Sequence, residues 1–184
     1  KVVPGASFAR VVASLASQGV VPQPRAWVLY ARWKRLAAAI KAGEYEVQPG
    51  TTPRQLLAKM VNGQVLLHSF TIVDGWRVQD MLRALRQNPD VTLTLPEGSS
   101  DIMAKIGAPG VEPEGQFLPE TYRFASGTTD VELLRQAHDA LRRELQADWS
   151  GRDPDLPLQN ADQLLIMASI VEKESGLPQE LGKI

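Results

Sequence analysis

Three stretches of this 184-residue chain repeat one local pattern, and that pattern limits the folds open to it. They read VVPGASFARVVASL (residues 2–15), VQPGTTPRQLLAKM (47–60) and IVDGWRVQDMLRAL (72–85). Aligned on Gly5, Gly50 and Gly75, each carries apolar residues six, seven and ten positions after the glycine. That spacing is the stripe of an amphipathic helix, and the glycine marks the turn into it. A short strand-like run precedes each glycine: Val2-Val3, Tyr45 to Val47, and Phe70 to Val73. The unit is therefore strand, turn, helix, used three times. Its separations of 45 and 25 residues are unequal, which excludes a solenoid. Shared ancestry and independent use of a favoured local structure both account for it.

Between the first two units, PRAWVLYARWKRLAAAI (24–40) reads as one helical run, with Trp27, Tyr30, Ala31 and Lys34 along one side and Trp33 and Leu36 further round. Such aromatics either pack in a core or stack on the apolar faces of sugars. Lys41 to Val47 then returns as a strand after Gly43. The order over residues 1–73 is strand, helix, helix, strand, helix, strand, and its first four elements resemble the small sugar-binding LysM architecture. Residues 88–113 are punctuated by seven prolines and glycines and read as a hinge, with one short helix at Asp101 to Ile106. EPEGQFLPETYRFASGTT (112–129) follows. Gly115 and Pro119 forbid a regular helix there and Pro119 argues against a central strand, leaving an ordered loop rich in acids and aromatics. A helix starts at Thr129, with Glu132 at capping-box spacing and Val131, Leu134, Ala137, His138, Leu141 and Leu145 on its buried stripe.

Composition narrows the chemistry. A hydrophobic content of 43% with 22% charged residues belongs to an ordinary globular protein. The balance of 20 basic and 21 acidic residues sets up no global field, so nucleic acid is not an expected partner. No apolar run reaches 18 residues, so nothing in the chain reads as a membrane span. There are no cysteines, which removes thiol catalysis, disulfides and cysteine-based zinc sites. The two histidines, His68 and His138, lie 70 residues apart in unrelated contexts. No metal site and no cofactor is expected. His138 reads as a hydrogen-bonded residue at the edge of a core. Acid–base chemistry falls on carboxylates.

The stretch NADQLLIMASIVEKESG (160–176) is apolar nearly all round, a helix expected inside a core. Asn160 and Gln163 have capping-box spacing, and Gly176 is placed to end the helix. At about 100° per residue, Glu174 shares a stripe with Met167, Ile170 and Val171, whereas Glu172 falls on the side of Leu165 and Ala168. An apolar surround and the negative end of the helix dipole would both favour the protonated form of Glu174. A carboxylic acid neutral near pH 7 is what a glycosidic oxygen needs from a general acid. The same residue also reads as a solvated acid at a frayed helix end beside Lys173.

Three motifs occur in order: GEYEVQPGTTPRQLLAKMVNG (43–63), EGQFLPETYRF (114–124) and MASIVEKESG (167–176). Together with VDGWRVQDML (73–82) they resemble the MltG (YceG-like) endolytic murein transglycosylases along essentially the whole chain. The resemblance implies an α+β fold: a small LysM-like βααβ glycan-binding subdomain at 1–73, a helix and Pro/Gly-rich connector at 74–113, and the N-terminal part of a mixed α/β catalytic domain at 114–184. The family continues beyond this last helix, so the catalytic part is expected to be incomplete at Ile184. The second glutamate of the E-K-E motif carries over as the catalytic residue, Glu174. Glu114, Glu120, Thr121, Tyr122 and Ser175 become substrate-side residues. Asp74 stands where the family usually has Glu, and Glu120 where Asp is also common.

The implied reaction breaks the β-1,4 bond between N-acetylmuramic acid and N-acetylglucosamine in peptidoglycan strands and leaves 1,6-anhydromuramyl ends. The implied setting is a single-pass anchor in the bacterial inner membrane upstream of residue 1, with this portion in the periplasm. Cell-wall synthases (penicillin-binding proteins) are implied partners. A non-catalytic peptidoglycan-binding module and a synthase scaffold are the alternatives.

Overall fold

The computed structural model describes residues 1–99 and 101–174, with side chains to Val171. The protein is α+β. In chain order the described elements are α1 (Phe8–Ser17), α2 (Pro24–Trp33), α3 (Pro53–Asn62), β1 (Leu67–Thr71), α4 (Val78–Gln87), α5 (Ile102–Ile106), β2 (Thr121–Ala125), α6 (Asp130–Gly151) and α7 (Ala161–Glu174). No helix among the described residues is long and apolar enough to cross a membrane. Two compact units divide the chain. Unit 1 comprises Lys1–Ser69 and Arg123–Thr128; unit 2 comprises Phe70–Tyr122 and the described chain from Thr129.

The repeated glycine motif builds three helices of the same form. Gly5, Gly50 and Gly75 adopt φ of 76°, 87° and 76°, a conformation that glycine adopts without a Cβ penalty. A ten-residue helix begins three residues after each of them. Seven of the nine stripe positions are buried, Val11 and Val12, then Leu56, Leu57 and Met60, then Met81 and Leu85, while Leu15 and Leu82 are half-buried.

In unit 1, α1, α2 and α3 enclose a core with Val2, Val21 and Tyr45, to which α2 gives Trp27 and Ala31. Phe8 of α1 meets Trp27 of α2 edge-on at 5.1 Å between ring centroids. The expected flanking strands are not formed. Val2 makes an isolated antiparallel bridge with Gly43, with N···O distances of 2.7 and 2.9 Å, and Tyr45 to Val47 forms no strand. Pro4 and Pro49 lack an N–H and stop a ladder within a few residues of each run. Tyr45 instead buries its ring and donates its hydroxyl to the carbonyls of Lys41 (2.8 Å) and Met60 (3.3 Å). The helix expected over 24–40 also ends early. Arg35 turns into the left-handed region at φ 57°, and the Leu36 N–H closes on the Ala31 carbonyl at 2.8 Å, a six-to-one closure that terminates α2.

The two strands pair with each other. Thr71 faces Thr121, and His68 lies against Phe124 three residues back and three on, so the pairing is antiparallel. Strand β2 lies within the stretch expected as a loop. Its alternation, Tyr122 and Phe124 buried, Thr121 and Arg123 exposed, has the period of a half-buried strand.

In unit 2, Thr129 Oγ1 accepts from the Glu132 N–H (3.1 Å), and the Glu132 carboxylate accepts from the Thr129 N–H (2.8 Å), the expected capping box of α6. Leu134, Ala137, His138, Leu141 and Leu145 are buried beneath it, with Leu133 and Asp130 added. The Pro/Gly-rich stretch after α4 is fastened to this helix: Arg135 donates to the carbonyls of Ile106 (3.1 Å) and Lys105 (3.0 Å), and the Asp130 N–H donates to Thr92 (3.1 Å).

Helix α7 departs from expectation. Asn160 caps it, accepting from the Gln163 N–H at 2.9 Å, but none of its described side chains is fully buried. Ile166, Met167 and Ile170 are 60%, 45% and 50% exposed. The helix packs on α6 along one side, with an Arg142–Asp162 ion pair at 2.7 Å, and its opposite face has no covering element among the described residues.

Charge is not evenly spread. Of the 20 basic and 21 acidic residues, unit 1 carries ten and two, and the remainder of the chain ten and nineteen. The near-zero total conceals formal charges of +8 and −9, so the absence of a field read from the whole composition does not hold locally.

Candidate active site

The segment from Glu114 to Tyr122 is held residue by residue by its neighbours in unit 2. At one end the Glu114 carboxylate accepts from the Val78 N–H (3.1 and 3.3 Å), the first residue of α4. An anion there satisfies a donor that the helix leaves free and lies at the positive end of its dipole. Asp80 turns back to the Arg77 N–H at 3.3 Å and completes that terminus.

Next, the Gln116 carbonyl meets His138 Nδ1 at 3.0 Å. A carbonyl only accepts, so this nitrogen carries the proton. His138 is thus a buried residue committed to backbone, as its place on the α6 stripe implied. Phe117 is buried edge-on to the same imidazole at 6.4 Å. The Leu118 N–H donates to the Ala137 carbonyl (3.2 Å), and the Leu118 carbonyl accepts the Tyr122 hydroxyl (2.6 Å). The Glu120 carbonyl accepts from the Ile72 N–H (3.0 Å), and Thr121 Oγ1 lies 2.8 Å from Thr71 Oγ1.

These contacts sort the expected substrate-side residues. Glu120 and Thr121 are exposed on a fixed backbone. Glu114 is exposed but its carboxylate is engaged by α4. Tyr122 is 4% exposed, and its hydroxyl is donated to the Leu118 carbonyl. Burial pushes its phenol up to about 12; the Glu120 charge adds to the rise and Arg143 opposes it.

Beside the segment lies a cavity of about 530 Å³ lined by Leu118, by α6 at Leu141, Glu144 and Leu145, and by α7 at Leu164, Leu165 and Ala168. It brings the 114–122 segment and α7 to one place in unit 2. Position 174 is the last residue of α7. The Glu174 side chain and the whole of Ser175 lie outside the described residues. The helix face of Met167 and Ile170, with which 174 shares its register, is solvent-exposed rather than enclosed.

One carboxylate escaped the sequence reading. Asp130 is 3% exposed and accepts from the Thr94 N–H (2.9 Å), Thr94 Oγ1 (2.5 Å), the Leu95 N–H (3.0 Å) and the Val131 N–H (2.9 Å). Burial raises its pKa, but the hydrogen bonds from Thr94, Leu95 and Val131 outweigh it and hold the group below its ordinary value. Nothing in the run Thr-Thr-Asp distinguishes it from an exposed first-turn acid. Among the described residues no group of His, Cys, Asp or Glu is arranged to hold a metal ion.

The model of the YceG-like family matches residues 1–184. Among solved structures, a crystal structure of a YceG-like protein from Listeria monocytogenes is similar at 18% identity and a TM-score of 0.38, over 97% of this chain and 64% of that one. The chain thus spans less than two thirds of that neighbour. No curated protein matches it.

Proposed function

The chain belongs to the YceG-like family, and from that premise we propose that it acts in endolytic lytic transglycosylation of peptidoglycan glycan strands. The observation that carries this reading is the extent of the family match, all 184 residues, including EGQFLPETY and the helix ending in E-K-E.

Glu174 is the proposed acid and then base. Its carboxyl gives a proton to the glycosidic oxygen as the bond from C1 of N-acetylmuramic acid to that oxygen breaks. The 6-hydroxyl oxygen of the same sugar bonds to C1, and its proton passes to the Glu174 carboxylate. The enzyme is restored, one strand ends in a free 4-hydroxyl and the other in a 1,6-anhydro ring, and no water is consumed. An internal nucleophile explains how one carboxyl can serve where most glycosidases need two.

Glu120 and Thr121, exposed on a fixed backbone, are the proposed sugar-facing groups, with Ser175 beside the acid. Glu114 and Tyr122 are proposed to position them, because their polar atoms are already engaged by protein. Residues 1–73 are proposed to bind glycan in LysM fashion. The proposed setting is the periplasmic face of the inner membrane, near cell-wall synthases.

The test is mass spectrometry of murein digested by the full-length protein and by Glu174→Gln. Anhydromuramyl ends from the first and none from the second support the reading. Equal yields from both refute the assignment. Intact strands that nevertheless pull down the wild-type protein favour the non-catalytic binding module.

A further inference from the structure

The chain carries seven basic and no acidic residues before Glu44. In unit 1 this charge meets an unusual helix face. The buried side of α2 presents Trp27 and Ala31 to the core. The opposite side carries Arg25, Leu29, Arg32 and Trp33, spaced as one stripe. Leu29 is 70% exposed and Trp33 73%, the two highest values among the exposed large hydrophobic residues described. The Lys34 ammonium sits 4.4 Å over the Trp33 ring, and Arg35 follows. Alongside Leu29, a groove of about 610 Å³ runs between α1 and α2 over Ala9, Ala13 and Ala16; the charged side chains lining it are Arg25 and Arg32.

We propose that this face of α2 rests on the surface of a lipid bilayer rich in anionic phospholipid. The chemistry matches on both counts. Guanidinium groups pair with phosphate oxygens, and cations near an anionic leaflet gain from its surface potential. Tryptophan and leucine interspersed among cations suit the boundary between headgroups and acyl chains, where an indole keeps an apolar body and a polar edge. A soluble polyanion would account for the arginines and leave Leu29 and Trp33 without a role. The contact shares no residue with the proposed cleavage site and stands or falls separately from it.

Flotation of the full chain with vesicles tests this, using phosphatidylcholine alone and phosphatidylcholine mixed with phosphatidylglycerol. Expected is binding to the mixed vesicles only, weakening with added salt, and a blue shift of tryptophan emission that Trp33→Phe removes. Arg25→Gln and Arg32→Gln should each lower partitioning about five-fold, the effect of one cation near such a surface. All of these side chains are exposed, and the circular dichroism melt of each variant should match wild type. Equal binding to both vesicle types, no binding, or binding indifferent to Arg25, Arg32 and Trp33 would overturn the proposal. So would equally tight binding to soluble polyglutamate with the same dependence on Leu29 and Trp33, which would make the partner an acidic chain.

Discussion

Asp130 and Leu95 are joined by a 3.0 Å hydrogen bond from the Leu95 N–H to the carboxylate of the buried aspartate. Through it, and through Thr94, the first residue of α6 holds the proline-rich stretch that follows α4. Removing one partner of such a buried, charge-assisted set leaves several donors unsatisfied. Asp130→Ala should therefore cost about 3–5 kcal/mol in urea unfolding, and Asp130→Asn less.

The same group makes stability depend on pH. Its folded pKa is depressed, so its contribution is present above the unfolded value of about 3.9 and is lost as pH falls through the folded one. Glu132, lowered mainly by the Thr129 backbone and hydroxyl, acts in the same direction. Unfolding midpoints recorded from neutral pH downward should be flat and then fall below about pH 4. The fall should be shallower in Asp130→Asn.

Glu120 reports on Tyr122. The phenol stands at about 12, raised by burial and then by the Glu120 charge. Replacing that anion removes part of the cost of forming phenolate, so Glu120→Gln should lower the pKa of Tyr122. Phenolate absorbance during an alkaline titration measures it, with Tyr122→Phe identifying the signal.

Tyr122→Phe has its own consequence. It deletes the donor to the Leu118 carbonyl and keeps the buried ring. A loss of about 1–2 kcal/mol is expected, with a larger fall in any glycan-cleaving activity than Phe124→Leu would cause at similar stability. Equal falls would mean that the hydroxyl matters for stability only.

Gly43 holds φ 144°, and a Cβ there would collide with Val65 Cγ1. Gly43→Ala should cost about 2–3 kcal/mol by thermal or urea unfolding, since the backbone would be strained and Val65 displaced together. Gly5→Ala meets nothing within 4 Å and should cost less.

What could be read in advance was local. The helices after Gly5, Gly50 and Gly75, the capping box at Thr129 and Glu132, and the short helix at Ile102–Ile106 follow from spacing and turn chemistry within a few residues. What escaped depends on residues distant in sequence. Val2 and Tyr45 look like strand residues, and only the nearby prolines and a single partner at Gly43 decide that one bridge forms. Strand β2 was hidden by Pro119, although the alternation of Thr121 to Phe124 was present. Asp130 and Glu114 owe their roles to amides 35 and 36 residues away, which no pattern in the sequence announces. The α7 sequence recorded greasiness without saying which face is covered.

The segment from Gln116 to Thr121 is tied separately to α6 by its Gln116 carbonyl and Leu118 amide, and to the β1 end by Glu120 and Thr121. A ligand settling against it meets a backbone that has already given up its freedom. Ordering a loose loop on association would forfeit about 1–2 kcal/mol per residue in conformational entropy. Here that loss is incurred during folding, so the sugar contacts proposed for Glu120 and Thr121 would appear almost undiminished in affinity, and the proposed recognition at this edge should depend little on induced closure.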